Sequence, residues 1–205
     1  MKKLSYLGML LCLANFTTSC DYNKRENYQG KSNEEQVSEN QTAEKKEAQK
    51  QEVSKFIIEA ANSNLAAIHL GKMAIEKATS REVKEFAKNM LDEHNKINED
   101  LQRMAEKNNV TYPTTPTDKD QDMVRELSKE IGYDFDKKFM KKMVEAHKNQ
   151  VDMFEKASKD LENIELKNYA SNTLPTLRNN LMKAEQNEDL VQNRKDQIRK
   201  KEKSM

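Results

Sequence analysis

Cysteine is nearly missing: the 205 residues contain two, Cys12 and Cys20. Both stand at the amino-terminal end, so no disulfide framework or thiolate metal cluster can be built across a domain. Tryptophan is absent, and there are only four glycines and three prolines. So few breakers argue against a loop-rich or all-β chain, and no glycine-rich phosphate loop is found. No serine elbow or zinc-protease histidine pair occurs either. An excess of one charge is lacking as well, since 36 lysines and arginines face 35 aspartates and glutamates, for a net of +1. A balanced polyampholyte carries no basic footprint for nucleic acid. No reaction is named by these residues, and the chain is expected not to be an enzyme.

What is present is helix-forming. Charged residues make up 35% of the chain, against roughly a quarter in average globular proteins. With Lys, Glu, Ala, Met and Leu abundant, helix is favoured over sheet at nearly every position.

The opening stretch "MKKLSYLGMLLCLANFTTSC" has two lysines, an apolar run from Leu4 to Phe16, and small residues before Cys20. That run is too short to span a bilayer as a mature helix. It looks like a bacterial secretory signal peptide ending in a lipobox, in which Thr17 replaces the usual aliphatic residue. Residues 1–19 would be removed and Cys20 acylated, for instance with palmitate. Several acyl chains, at about 0.8 kcal/mol per buried methylene, make a lasting membrane anchor. The expected location is the bacterial cell envelope, as a lipoprotein on the periplasmic or outer-membrane side. Residues 20–50 then read as a flexible lipidated tether, because "DYNKRENYQGKSNEEQVSENQTAEKKEAQK" has little to bury.

Helical patterns follow. The first helix is expected from about Glu52 to Ala78, with a broad face of mostly small residues: Val53, Phe56, Ile57, Ala60, Ala61, Leu65, Ile68, Ala74 and Ile75. Thr79 and Glu82 form a capping box into a second helix that ends near Asn108 and Asn109. After the loop "TYPTTPTD" comes a short helix from Asp118 to Lys129, stopped at Gly132. A third long helix, N-capped by Asp134 or Asp136, runs to about Leu161. The fourth starts near Asn163 and contains Pro175, which predicts a kink or a restart at Thr173. The fold expected is an all-α, antiparallel four-helix bundle over residues 51–190, with an extra short helix between helices 2 and 3 and a charged extension at 191–205.

The succession "NLAAIHLGKMA", "VKEFAKNMLDEHNKINEDL", "FDKKFMKKMVEAHKNQVDMFEKA" and "LKNYASNTLPTL" resembles the ferritin-like bacterial envelope proteins catalogued as domain of unknown function 4142 (DUF4142) over about residues 52–186. The resemblance implies a ferritin-like bundle, usually secreted or lipid-anchored, without an established activity. His94 and His147 match the family's histidines on the second and third helices. Ala67 stands where many members have glutamate, and Asn180 where histidine is usual.

Two histidines on apolar stripes raise the functional question. His94 lies among Val83, Ala87, Met90, Ile97 and Leu101, and His147 among Phe139, Met143, Val144, Val151 and Phe154. A di-iron centre would need Glu-x-x-His, but Leu91 and Val144 occupy the positions three before each histidine. Two readings stand. In the first, His94 and His147 form a structural polar layer, bonding each other, Asn180, a buried water or a carbonyl, and the chain is a binding or structural module without a cofactor. In the second, Met90, His94, Met143 and His147 hold copper, because each Met–His pair shares one helical face and thioether plus imidazole suits Cu(I). His69 is expected at the edge of its stripe, partly exposed. Partners expected are the membrane, through the lipid, and a protein partner or a second copy of the chain.

Overall fold

The structure is a computed structural model; it describes residues 33–203, with side chains from 41 to 194. The signal peptide, Cys20 and the first part of the tether lie outside the described residues. Helix α1 spans Asn33–Lys77, α2 Arg81–Lys107, α3 Asp118–Ser128, α4 Gly132–Asp160 and α5 Ile164–Lys203. Regular structure among the described residues is entirely helical, and none of these helices is long and apolar enough to cross a membrane.

Residues 33–50 are helical, so the segment expected as a tether over residues 20–50 is helical in its latter part. The reason is local: Glu, Gln, Lys and Ala dominate, no Gly or Pro interrupts, and extending an existing helix needs no new nucleus. Gln49 and Lys45 also reach Glu162, beyond the end of α4.

The helices form two hairpins. In the first, Asn64 of α1 meets His94 of α2, and Gly71 meets Met90. In the second, the Phe154 and Tyr169 rings lie 6.0 Å apart, and Arg178 of α5 bonds Glu155 of α4 at 2.8 Å. The hairpins join where Phe56 packs edge-on against Phe154 at 5.3 Å. These pairings run α1 and α5 one way and α2 and α4 the other. The crossing from α2 to α4 therefore needs a long connection, which the loop after Asn108 and α3 supply. This is a four-helix bundle with α2 and α4 on one diagonal.

Close approach of the first hairpin depends on Gly71. A Cβ at that position would sit 2.8 Å from the Met90 methyl group. The small residues of α1 thus leave room for long side chains from α2.

Two caps differ from the sequence expectation. Ser80, not Thr79, is the N-cap of α2, and its side chain makes no capping bond. Asp136 of α4 takes that role from outside the helix. It accepts from the Ser80 N–H at 2.8 Å, the Thr79 N–H at 3.0 Å and the Thr79 hydroxyl at 2.7 Å. A carboxylate there also complements the positive end of α2. Asp136 is consequently an interior residue of α4; Ile131 is the N-cap, and Gly132 adopts φ +58, open to glycine at little cost.

Helix α5 continues without a break through Pro175, so no restart occurs at Thr173. Ser171, whose carbonyl loses its donor, is exposed and can be hydrated. Val191 is buried and Arg194 bonds Glu82 at 2.9 Å, so packing extends beyond residue 190.

Because Asp136 satisfies three donors from a position 2% exposed, Asp136→Ala should destabilise the fold by about 2 to 4 kcal/mol. Urea unfolding checks this, and Asp136→Asn, which keeps an acceptor, should lose less.

Candidate functional site

The core is divided. One apolar cluster gathers Ile57, Leu101, Phe154, Leu166 and Leu177, and a second gathers Leu70, Met90, Phe135, Phe139 and Met143. On every long helix a buried polar residue falls between the two: Asn64 on α1, His94 on α2, His147 and Gln150 on α4, and Asn180 on α5. Their common height follows from helix register, the α4–α5 level being bracketed by Lys148 with Glu185 and Arg178 with Glu155.

His94 and His147 meet across the α2–α4 diagonal. Both are fully buried, with ring centroids 5.4 Å apart, an interplanar angle of 64° and their Nε2 atoms 3.3 Å apart. Each ring is anchored at the other nitrogen. His147 Nδ1 lies 2.7 Å from the Met143 carbonyl, one turn back on the same helix. His94 Nδ1 lies 2.7 Å from Asn64 Oδ1, while Asn64 Nδ2 donates to the His94 carbonyl at 3.0 Å.

This string has a defect in proton number. It begins at one carbonyl, ends at another, and makes four polar contacts. Each contact needs one hydrogen. Two neutral imidazoles and one carboxamide donor supply three. Turning the Asn64 amide moves the shortage without removing it. In the orientation with the Asn64 N–H on the carbonyl, both Nδ1 atoms carry protons and two Nε2 lone pairs face each other.

Burial keeps the missing proton out. His94 is lowered to about 3, first by burial and then by repulsion from the His147 ring. His147 is also lowered by burial, partly offset by the Met143 carbonyl. Both rings are therefore neutral at pH 7, and a neutral imidazole nitrogen is the form that binds metal.

The methionines are placed less directly. Met90 and Met143 are fully buried in the second apolar cluster, four residues before each histidine. Met90 presses its methyl on Gly71, and Met143 contributes its backbone carbonyl to the string. No group of three or more His, Cys, Asp or Glu side chains suited to a metal occurs among the described residues. His69 is exposed, as expected. Asn180 does not bond the histidines: its Nδ2 is enclosed without a partner, as is Gln150 Oε1.

The partner that sequence reasoning missed is Asn64. A signal existed, since Ala60, Asn64, Ala67, Gly71 and Ala74 recur at helical spacing. Leu65 and Ile75, expected on the core face, are only partly buried, so the stripe is rotated toward the small residues.

A family model described as "Domain of unknown function (DUF4142)" matches residues 38–186. The chain belongs to the DUF4142 family. The match begins inside the helical stretch that precedes residue 51, in agreement with the longer α1. No curated protein matches this DUF4142 member. Among solved structures it is similar to "CopM in the Cu(I)-bound form", with a TM-score of 0.54 and 19% identity over 65% of this chain and 93% of that one. At that identity the likeness concerns the fold.

The depressed rings fix the pH response. Unfolded, each histidine titrates near 6.5, whereas folded His94 stays neutral to about 3. Between those values the unfolded chain binds more protons, so stability falls as the pH drops below about 6.5 and the loss ends near 3. From pH 7.5 to pH 5 the His94 ring alone should remove roughly 2 kcal/mol. Urea midpoints measured across that range should shift less in a His94→Leu/His147→Leu double variant.

Proposed function

We propose that this protein is a lipid-anchored helical bundle of the bacterial envelope that serves as a binding module and catalyses no reaction, and that its core binds one Cu(I) between His94 and His147. The observation that carries the reading is the polar string with four contacts and three hydrogens. Such a string has a place for one positive species at the facing Nε2 atoms. A proton forms one bond there in exchange for a buried charge, and burial opposes it. A soft, monovalent metal ion bonds both nitrogens for the same charge. Imidazole suits copper, and the thioethers four residues away are soft donors of the kind Cu(I) accepts.

The distance is close to what this requires. Metal–imidazole bonds of about 2.0 Å span about 4 Å when opposed. The rings, at 3.3 Å, would separate by about 0.7 Å. The described bundle fold, shared with a structure named as Cu(I)-bound, supports the reading. The lipidated Cys20 would hold the module at the membrane surface, and a second copy or an envelope protein remains the natural macromolecular partner.

Anaerobic titration of the full chain in detergent against a chromogenic Cu(I) chelator tests this. One Cu(I) per chain is expected, with affinity reduced at least 100-fold in His94→Ala/His147→Ala and at least 10-fold in Met90→Leu/Met143→Leu. Circular dichroism confirms that each variant is folded. Equal binding by the parent and the folded histidine variant overturns the site, and unaltered binding in the methionine variant removes the thioethers from it.

A further inference from the structure

The two hairpins meet loosely along α2 and α5 and leave a groove of about 980 Å³ between them. Its α2 wall carries Glu93, Ile97 and Asp100, and its α5 wall Asn168, Tyr169 and Asn172. This surface is separate from the buried histidine string, and the copper reading makes no use of it.

We propose that the groove binds a short extended peptide carrying one ammonium group. Three features of the walls point to that class. First, Asn168 and Asn172 stand four residues apart on one helix, about 6 Å along its axis. Alternate residues of an extended chain repeat every ~6.6 Å, so two successive carboxamides can each meet a backbone amide group, donating to its carbonyl and accepting from its N–H. Both side chains are exposed to the groove.

Second, the walls are polar and nearly uncharged in sum. Asp100 is paired with Arg103 and Glu165 with Lys107, both cations standing outside the lining. Glu93 is different: its Oε2 is enclosed and has no hydrogen-bond partner. The half-buried Glu93 side chain lines the groove, and by turning from this enclosed position to face it the carboxylate gains a charged donor from the ammonium of a ligand. Lys96, also on the wall, makes no ion pair with it among the described residues.

Third, the length fits. From Glu93 to Met104, both on the groove wall, the helix rises about 16 Å, the span of about five extended residues. The floor is firm at this level: Tyr169 is 8% exposed and its hydroxyl donates to the Ile97 carbonyl at 3.5 Å.

The test is fluorescence anisotropy with the full chain in detergent and a fluorescein-labelled pentapeptide of alternating alanine and serine ending in lysine. Saturable binding is expected, weakened at least 10-fold by Asn168→Leu/Asn172→Leu and at least 5-fold by Glu93→Gln. These positions lie on an exposed or half-buried surface, and circular dichroism verifies the fold. The same peptide with N-methylated backbone amides should bind at least 10-fold more weakly. Equal binding of the N-methylated peptide, or no saturation up to millimolar concentration, overturns the proposal. So does unchanged binding by the asparagine variant. Adding Cu(I) should not alter the result, and failure here leaves the histidine site untouched.

Discussion

The constraint on which the bundle depends is the polar string from Asn64 through His94 and His147 to the Met143 carbonyl. Apolar side chains at helical spacing bring four helices together but specify height poorly, since leucine packs against leucine at several registers. A buried polar group without a partner costs about 1 to 3 kcal/mol. Sliding α2 by one turn against α1 would strand Asn64 and the Nδ1–H of His94. The layer therefore selects one register, in the way a single buried asparagine does in a coiled coil. Its position between two apolar clusters keeps the string dry and its electrostatics strong.

From that register the rest follows. Holding α2 and α4 in parallel on a diagonal requires the long crossing through α3, and it brings Asp136 of α4 beneath the start of α2. The tight pairings are then α1 with α2 and α4 with α5, whereas α2 and α5 face each other across the groove. Thus the dry centre and the wet groove are two results of one arrangement: Asp136 ties the start of α2 to α4, and α5 packs on α4.

Much of this was legible in the residues. Four amphipathic patterns, the short helix α3 and the pairing of His94 with His147 all follow from spacings of three and four, because core burial imposes that period. Asn64 was not legible for a reason of the same kind. Its stripe is made of alanines and a glycine, which carry little hydrophobic signal, and Leu65 and Ile75 beside them drew the eye to a rotated face. The cap by Asp136 could not be read, since it joins residues 56 and 57 positions apart; local pattern finds only caps within a turn. Pro175 suggested a kink or a restart; the helix runs on through it, and the carbonyl it leaves without a donor belongs to Ser171, which is exposed to solvent.

Under the Cu(I) reading proposed above, the sealed centre has to widen by tenths of an ångström, and the fold contains a compliant element. The Asp136 cap pins α2 to α4 at Ser80, fourteen residues before His94, a lever of about 21 Å along the helix. Parting the rings by about 0.7 Å then asks for a rotation of only about 2° around that pin. Such a tilt carries α2 outward along the diagonal, away from α4 and off α1 and α5 rather than into them. The face of α1 that it leaves is alanine and glycine for the most part, so few contacts are lost. Asn64 can follow over tenths of an ångström, and each ring keeps the hydrogen bond at its outer nitrogen.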